Sequence, residues 1–229
     1  VPTELATFDV DDVKRCGDVI RKLGDGAASM DEAAQRVAEY LYGELAGAAL
    51  VRVYKTHPFG KLPPAVRDAA AGPVADDVRC LTLLGTAGDE EAWNDRRRSR
   101  GHQAIPLPSP EVVDQLPMVA QLITQLGLEL TSVVRPDPSE ARALSQRTYD
   151  VFHVPDAATS PYVPAKDFVE QHGIRSALGF GGMLYTGDFY GVVLFAKVPV
   201  DADTAQMLKI LSLPVRVPLL THLRRVFAD

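Results

Sequence analysis

The most chemically loaded stretch of the chain is the run Arg96, Arg97, Arg98 and Arg100, with Trp93, Asn94 and His102 beside it. Guanidinium forks match carboxylate and phosphate oxygens, and an aromatic ring with a neighbouring amide would complete a small pocket for an anion. Alternatively, these arginines pair with Asp89, Glu90, Glu91 and Asp95 just before them and form a solvated loop. Arg52 alternates with Leu50 and Tyr54 in a run of β-branched residues, which puts it either at a sheet edge or in a pocket. In a pocket, Lys55 and His57 would join it; otherwise His57 bonds to the backbone of the Pro58-Phe59-Gly60 turn. His153 either ligates haem iron or a ligand, or is a hydrogen-bonded structural residue. Arg52, His57, Trp93, Asn94, Arg97, His102 and His153 are therefore the candidate ligand-binding set.

Other chemistries lack their motifs. The five histidines show neither HxxxH nor HExxH spacing, and Cys16 and Cys80 stand far apart, so neither a metal site nor a disulfide framework is expected. Gly179, Gly181 and Gly182 form GFGG without the spacing or following helix of a phosphate loop; they are expected to let a strand bend or another backbone approach. Ser99, Ser109 and Ser176 lack a GxSxG context, and no histidine neighbours Cys16. No catalytic residue is assigned, and the protein is read as a non-enzyme; the alternative is a carbonyl polarised by the clustered Arg, His and Asn.

The elements that would hold these residues follow from periodicity. Val10, Val13, Ile20 and Leu23 predict a helix over 9–23. Ser29 with Glu32 reads as a capping box that starts a second helix running to about Ala46. AALVRVYK (48–55) alternates as a strand, with Ala49, Val51 and Val53 on one face; a short helix near 63–71 and a strand over 79–88 follow. After the polar stretch, AIPLPSP is extended and a helix from Pro110 to Gly127 bends at Pro117; residues 135–147 are a loop or short helix. Residues 148–154 read as a strand, PDAATSPYVPAKDF as a loop, and GIRSALGFGGMLYTGDFYGVVLFAKV as a strand pair turning at Thr186-Gly187-Asp188. A closing helix from Asp201 to about Phe227 is interrupted by Pro214 and Pro218, each costing about 3 kcal/mol in a regular helix. With no repeat or linker, the expectation is one α+β domain spanning residues 1–229, its leading and closing helices on one sheet face and the insertion on the other.

The segment GIRSALGFGGMLYTGDFYGVVLFAKVPVDADTAQMLKILSLPVRVPLL resembles the end of a GAF domain: small-residue strand, polar hairpin, a strand of the form GVVLF, then a helix starting DxDTxxML. The upstream element order matches as well, and WNDRRRSRGHQAIPLPS with YDVFHVP is similar to the GAF-like sensory regions of bacterial signalling proteins such as histidine kinases. This resemblance implies a mostly antiparallel sheet of about six strands, a ligand pocket roofed by the insertion, and terminal helices that pair two copies and relay to a kinase or other effector. The sequence lacks the NKFDE-type motif of cyclic-nucleotide-binding relatives, the cysteine cluster of the free methionine sulfoxide reductases and a bilin-attachment context. Pro214 and Pro218 argue against a long straight helix leaving the end.

Composition narrows the partners. With 24 Lys+Arg against 30 Asp+Glu and a net charge of −6, the chain lacks the basic excess of a nucleic-acid surface. No apolar run reaches the roughly 18 residues of a membrane span and no signal pattern opens the chain, so a cytoplasmic protein is expected. A first residue of Val suggests a processed end, an unusual start or a cut from a longer polypeptide. The expected function is a sensor of a small, anionic or polar molecule. The alternatives are a haem or gas sensor through His153 or His102 and a dimerisation or docking module without a ligand.

Overall fold

Stretches rich in Val, Leu, Ala and Thr, broken by turn residues, form the six strands of the main sheet among the described residues: β1 (Ala48–Pro58), β2 (Arg79–Gly88), β3 (Ala104–Leu107), β4 (Phe152–Val154), β5 (Ser176–Met183) and β6 (Phe189–Ala196); Thr3–Glu4 and Leu45–Ala46 make a separate short parallel pair. The computed structural model, which describes residues 2–70, 72–99 and 101–228, orders them β3-β2-β1-β6-β5-β4, each neighbouring pair antiparallel. The β5–β6 hairpin turns where expected, with Gly187 at a φ of 77°. Extended AIPLPSP contributes β3, and Pro106 is tolerated there because β3 is an edge strand.

Among the described residues ten α-helices surround the sheet: α1 (Val10–Ile20), α2 (Met30–Glu44), α3 (Pro64–Asp68), α4 (Pro110–Asp114), α5 (Pro117–Gln125), α6 (Leu130–Val134), α7 (Ala141–Ser145), α8 (Lys166–Gln171), α9 (Ala202–Leu208) and α10 (Ser212–Thr221). One core is built where α1, α2, α9 and α10 meet the sheet, around Ile20, Val37, Leu41, Val51, Val53, Val192 and Val215. On the other face the insertion packs a second core from Val113, Leu122, Ile123, Val133 and Val169 onto Leu50, Tyr54, Phe152 and Val193. The terminal helices thus share one face of an α+β sandwich and the insertion covers the other. No helix among the described residues is long and apolar enough to cross a membrane.

Several local expectations are corrected. Glu32 accepts a bond from the Ala28 amide (2.7 Å), one residue before the cap amide, while the Ser29 hydroxyl accepts from Glu32 N as a cap should (3.4 Å). A register shift between Ala48 and Leu50 moves Ala49 to the insertion side of β1. Pro117 does not bend one helix but occupies the first turn of a new one, where its missing N–H costs nothing. The strand expected over 148–154 is only Phe152–Val154, because the Asp150 amide bonds to the Leu126 carbonyl at the end of α5 (3.1 Å) instead of joining a ladder. Residues 130–134 and 166–171 form the short helices α6 and α8 in stretches with no helical periodicity of their own. Pro214 sits in the first turn of α10, where it is harmless, whereas Pro218 lies inside it, and the helix ends at Thr221.

Candidate functional site

A cavity of about 510 Å3 separates the insertion from the sheet. Its floor is Leu50, Arg52 and Tyr54 of β1 with Val193 and Phe195 of β6, and the register sets Val193 opposite Arg52 and Phe195 opposite Leu50. Met118, Val119 and Leu122 of α5 form one wall. Another is aromatic: Trp93 lies 5.6 Å from the Phe168 ring and 4.5 Å, edge to face, from His172, while Phe168 meets Phe195 at 5.1 Å. Arg98, Ser99 and His102 complete the lining from the loop between β2 and β3.

Arg52 is the unusual member. It is 9% exposed, its Nε is buried without a partner, and it makes no hydrogen bond or ion pair with any described residue. Charged side chains are rarely buried so fully without a counter-ion, because stripping water from a charge is costly unless an opposite charge replaces it. Thr86, directly across the ladder from Arg52, and Ser99, in the lining, are also buried with unpartnered hydroxyls. The Arg52 guanidinium and the Ser99 hydroxyl, with Tyr54, Arg98 and His102 the other polar side chains of a mostly apolar lining, can bind an acceptor-rich group. A nucleophile–base pair is not formed by these groups, and no cluster of three His, Cys, Asp or Glu able to hold a metal occurs among the described residues.

Of the candidate set, the structure brings Arg52, Trp93 and His102 together around the cavity. His57 does not join them. It is buried toward the terminal-helix side, with Nε2 3.2 Å from the Lys55 ammonium and its ring 5.8 Å from Phe227. Burial, then the Lys55 charge, push its pKa down to about 3, so the ring is neutral. Lys55 pairs instead with Asp188 at 2.8 Å. Asn94 is a loop clasp: its side chain accepts from the Gly88 amide (2.9 Å) and donates to the Gly88 and Glu90 carbonyls. Arg97 is exposed and bound to Asp95 (3.2 Å). His153 lies 2.8 Å from the Val200 carbonyl through Nε2, away from the cavity, which removes it as a haem ligand there.

The arginine run divides rather than acting as one patch. Arg96 binds Asp31 at 2.7 Å and lies 5.1 Å over the Phe227 ring, Arg98 binds Glu91 at 2.9 Å, and Arg100 lies outside the described residues. The Ser99 hydroxyl in the lining escaped sequence reasoning because it carries no local signal, and so did the buried Thr86 hydroxyl beside Arg52, which becomes visible only once the β1–β2 register is known.

No protein-family model matches the chain, and no curated protein matches it in sequence. Among solved structures, it is similar to the GAF domain from a phosphoenolpyruvate-protein phosphotransferase of Coxiella burnetii, with a TM-score of 0.51 and 10% identity over 93% of this chain and 94% of that one. It is also similar to the phycoerythrobilin-bound GAF domain from a cyanobacterial phytochrome, with a TM-score of 0.45 and 14% identity over 98% of each chain. The chain has the GAF fold.

Proposed function

We propose that the chain is a non-catalytic sensory domain of GAF type that binds a small anionic molecule between the sheet and the insertion. The observation that carries this reading is the cavity of about 510 Å3 holding a buried arginine with no counter-ion. Pocket size and lining are those of a ligand site, mostly apolar with a few convergent polar groups. Occupancy would be reported by the segment between β2 and β3, since it supplies both Ser99 to the cavity and Arg96 to Asp31 and Phe227 on the opposite face. Two copies would pair through the terminal helices, where Val10, Val19, Ile210, Leu213 and Val217 are exposed, and pass the signal to an effector.

Native mass spectrometry of the protein as purified, together with fluorescence titration of the neutral reporter N-phenyl-1-naphthylamine, tests the cavity. A retained small molecule or a saturable reporter signal is expected. Val119→Trp, which fills the cavity from α5, should remove both. If neither is seen in the unsubstituted protein, the sensor reading fails.

A further inference from the structure

We infer that the cavity takes an amphipathic monocarboxylate, its carboxylate on Arg52 and its apolar body against the aromatic wall. This rests on the cavity being a ligand site and narrows what the site accepts.

The charge count comes first. The arginine run looked able to build a polar, strongly cationic pocket, but Arg96, Arg97 and Arg98 are committed to Asp31, Asp95 and Glu91. Arg52 is left as the buried cation of the lining without an acid. One positive charge is matched by one negative charge. A dianionic phosphate or a dicarboxylate would carry a second, unpaired charge into an apolar space, which is strongly unfavourable.

The hydrogen-bond inventory points the same way. A carboxylate offers about four lone-pair sites and fits a guanidinium fork in plane. The buried Ser99 hydroxyl, in the lining, supplies a further donor that has no partner among the described residues. Most of the remaining lining, with Trp93, Phe168, Phe195, Val193 and Leu122, is apolar and offers no partner to the many hydroxyls of a sugar; Tyr54, Arg98 and His102 are its other polar side chains. At roughly 30 Å3 per water-sized unit, a cavity of about 510 Å3 has room for about 15–20 non-hydrogen atoms, far more than a simple carboxylate needs.

Decanoate, methyl decanoate and acetate separate head from body, read by calorimetry and by displacement of N-phenyl-1-naphthylamine. Decanoate is expected to bind and to displace the reporter, the ester to bind about tenfold or more weakly, and acetate not to displace at all. Arg52→Met keeps the aliphatic stem without the charge; it should still bind the reporter yet prefer the ester, and Arg52→Lys should restore part of the preference for the acid. Reporter binding with an ester preference in the unsubstituted protein, or unchanged decanoate affinity in Arg52→Met, overturns the carboxylate assignment and leaves the cavity standing. Absence of both reporter and decanoate binding overturns the sensor reading itself, and this inference with it.

Discussion

Five positions separate Arg52 from His57, and on a strand an odd separation puts two side chains on opposite faces. Alternation alone was therefore enough to keep His57 out of a pocket built on Arg52, and the structure follows it: Arg52 and Tyr54 face the insertion while Lys55 and His57 are turned away from it, His57 toward Phe227 of the C-terminal tail. Lys55 and Arg79 both bind Asp188, which the Thr186 hydroxyl also reaches at 2.7 Å. Burial pushes the Asp188 carboxyl up, but Lys55, Thr186 and Arg79 more than offset it and hold its pKa below the ordinary 3.8. A carboxylate with a lowered folded pKa contributes stability above its unfolded pKa and loses it as pH falls through the folded value. Asp188→Asn is accordingly expected to cost about 3–5 kcal/mol at neutral pH by leaving Lys55 buried without its counter-ion, and to flatten the fall in stability below pH about 4. Urea denaturation across that range checks both; an acid limb as steep as in the parent would remove Asp188 as its source. The rest of the candidate site was only partly readable. Arg52 stood out because a charge interrupts an apolar face. The fate of Arg96, Arg97 and Arg98 depended on which acids the folded loop brings near, including Asp31, which lies 65 residues from Arg96.

Long elements with one strong period were legible, and so was the short α3, expected near 63–71; α6 and α8 were not. Strand β2 matches its expected limits of 79–88 because the nine consecutive apolar or small residues after Arg79 can only be buried on both faces. Helices α6 and α8 have five and six residues, too few for a period to emerge, and are fixed by tertiary packing. The same tertiary logic makes Gly85 critical. A Cβ there would overlap the Ala34 backbone and lie 2.6 Å from the Gln35 nitrogen, so α2 seats on β2 only over a glycine. Gly85→Ala is expected to destabilise by about 3 kcal/mol, as overpacking against unyielding backbone does, measured as a lower urea midpoint; a shift within error would mean α2 can lift without penalty. The C-terminal segment poses a related question about elements. The Met30 and Asp31 amides donate to the carbonyls of Arg225 and Val226 (2.9 Å each), and Arg96 clamps this junction through Asp31 and Phe227. Arg96→Met should speed hydrogen exchange at Met30 and Asp31 while leaving β1 amides protected. Equal protection in the two proteins would show that the clamp contributes nothing to holding the tail.

At the scale of the whole molecule, the two cores leave one surface unexplained. The insertion buries most of its apolar residues against the sheet, but the terminal-helix layer keeps Ile210, just before α10, and Leu213 and Val217 within it exposed, at i, i+3 and i+7 along one helical face; Val10 and Val19 are exposed too, but nine residues apart they lie on opposite sides of α1. Leu213 is 50% exposed and Val10 65%. Single exposed apolar residues need no explanation, whereas three on one helical face make a candidate interaction surface. The net charge of −6 on each copy opposes self-association, so pairing through this stripe has to be apolar in origin. Salt then discriminates. Screening weakens the repulsion between two acidic copies without weakening apolar contact, so a dimer held by the stripe should tighten as ionic strength rises from about 0.05 to 0.5 M. A dimer held by ion pairs should loosen over the same range. Light scattering behind size exclusion reads the difference directly. Leu213→Glu, at a half-exposed position where folding stability should change by only about 0.5 kcal/mol, is expected to leave a monomer whose melting temperature no longer depends on protein concentration. A parent protein that stays monomeric at high concentration and high salt would assign the stripe no role in self-pairing.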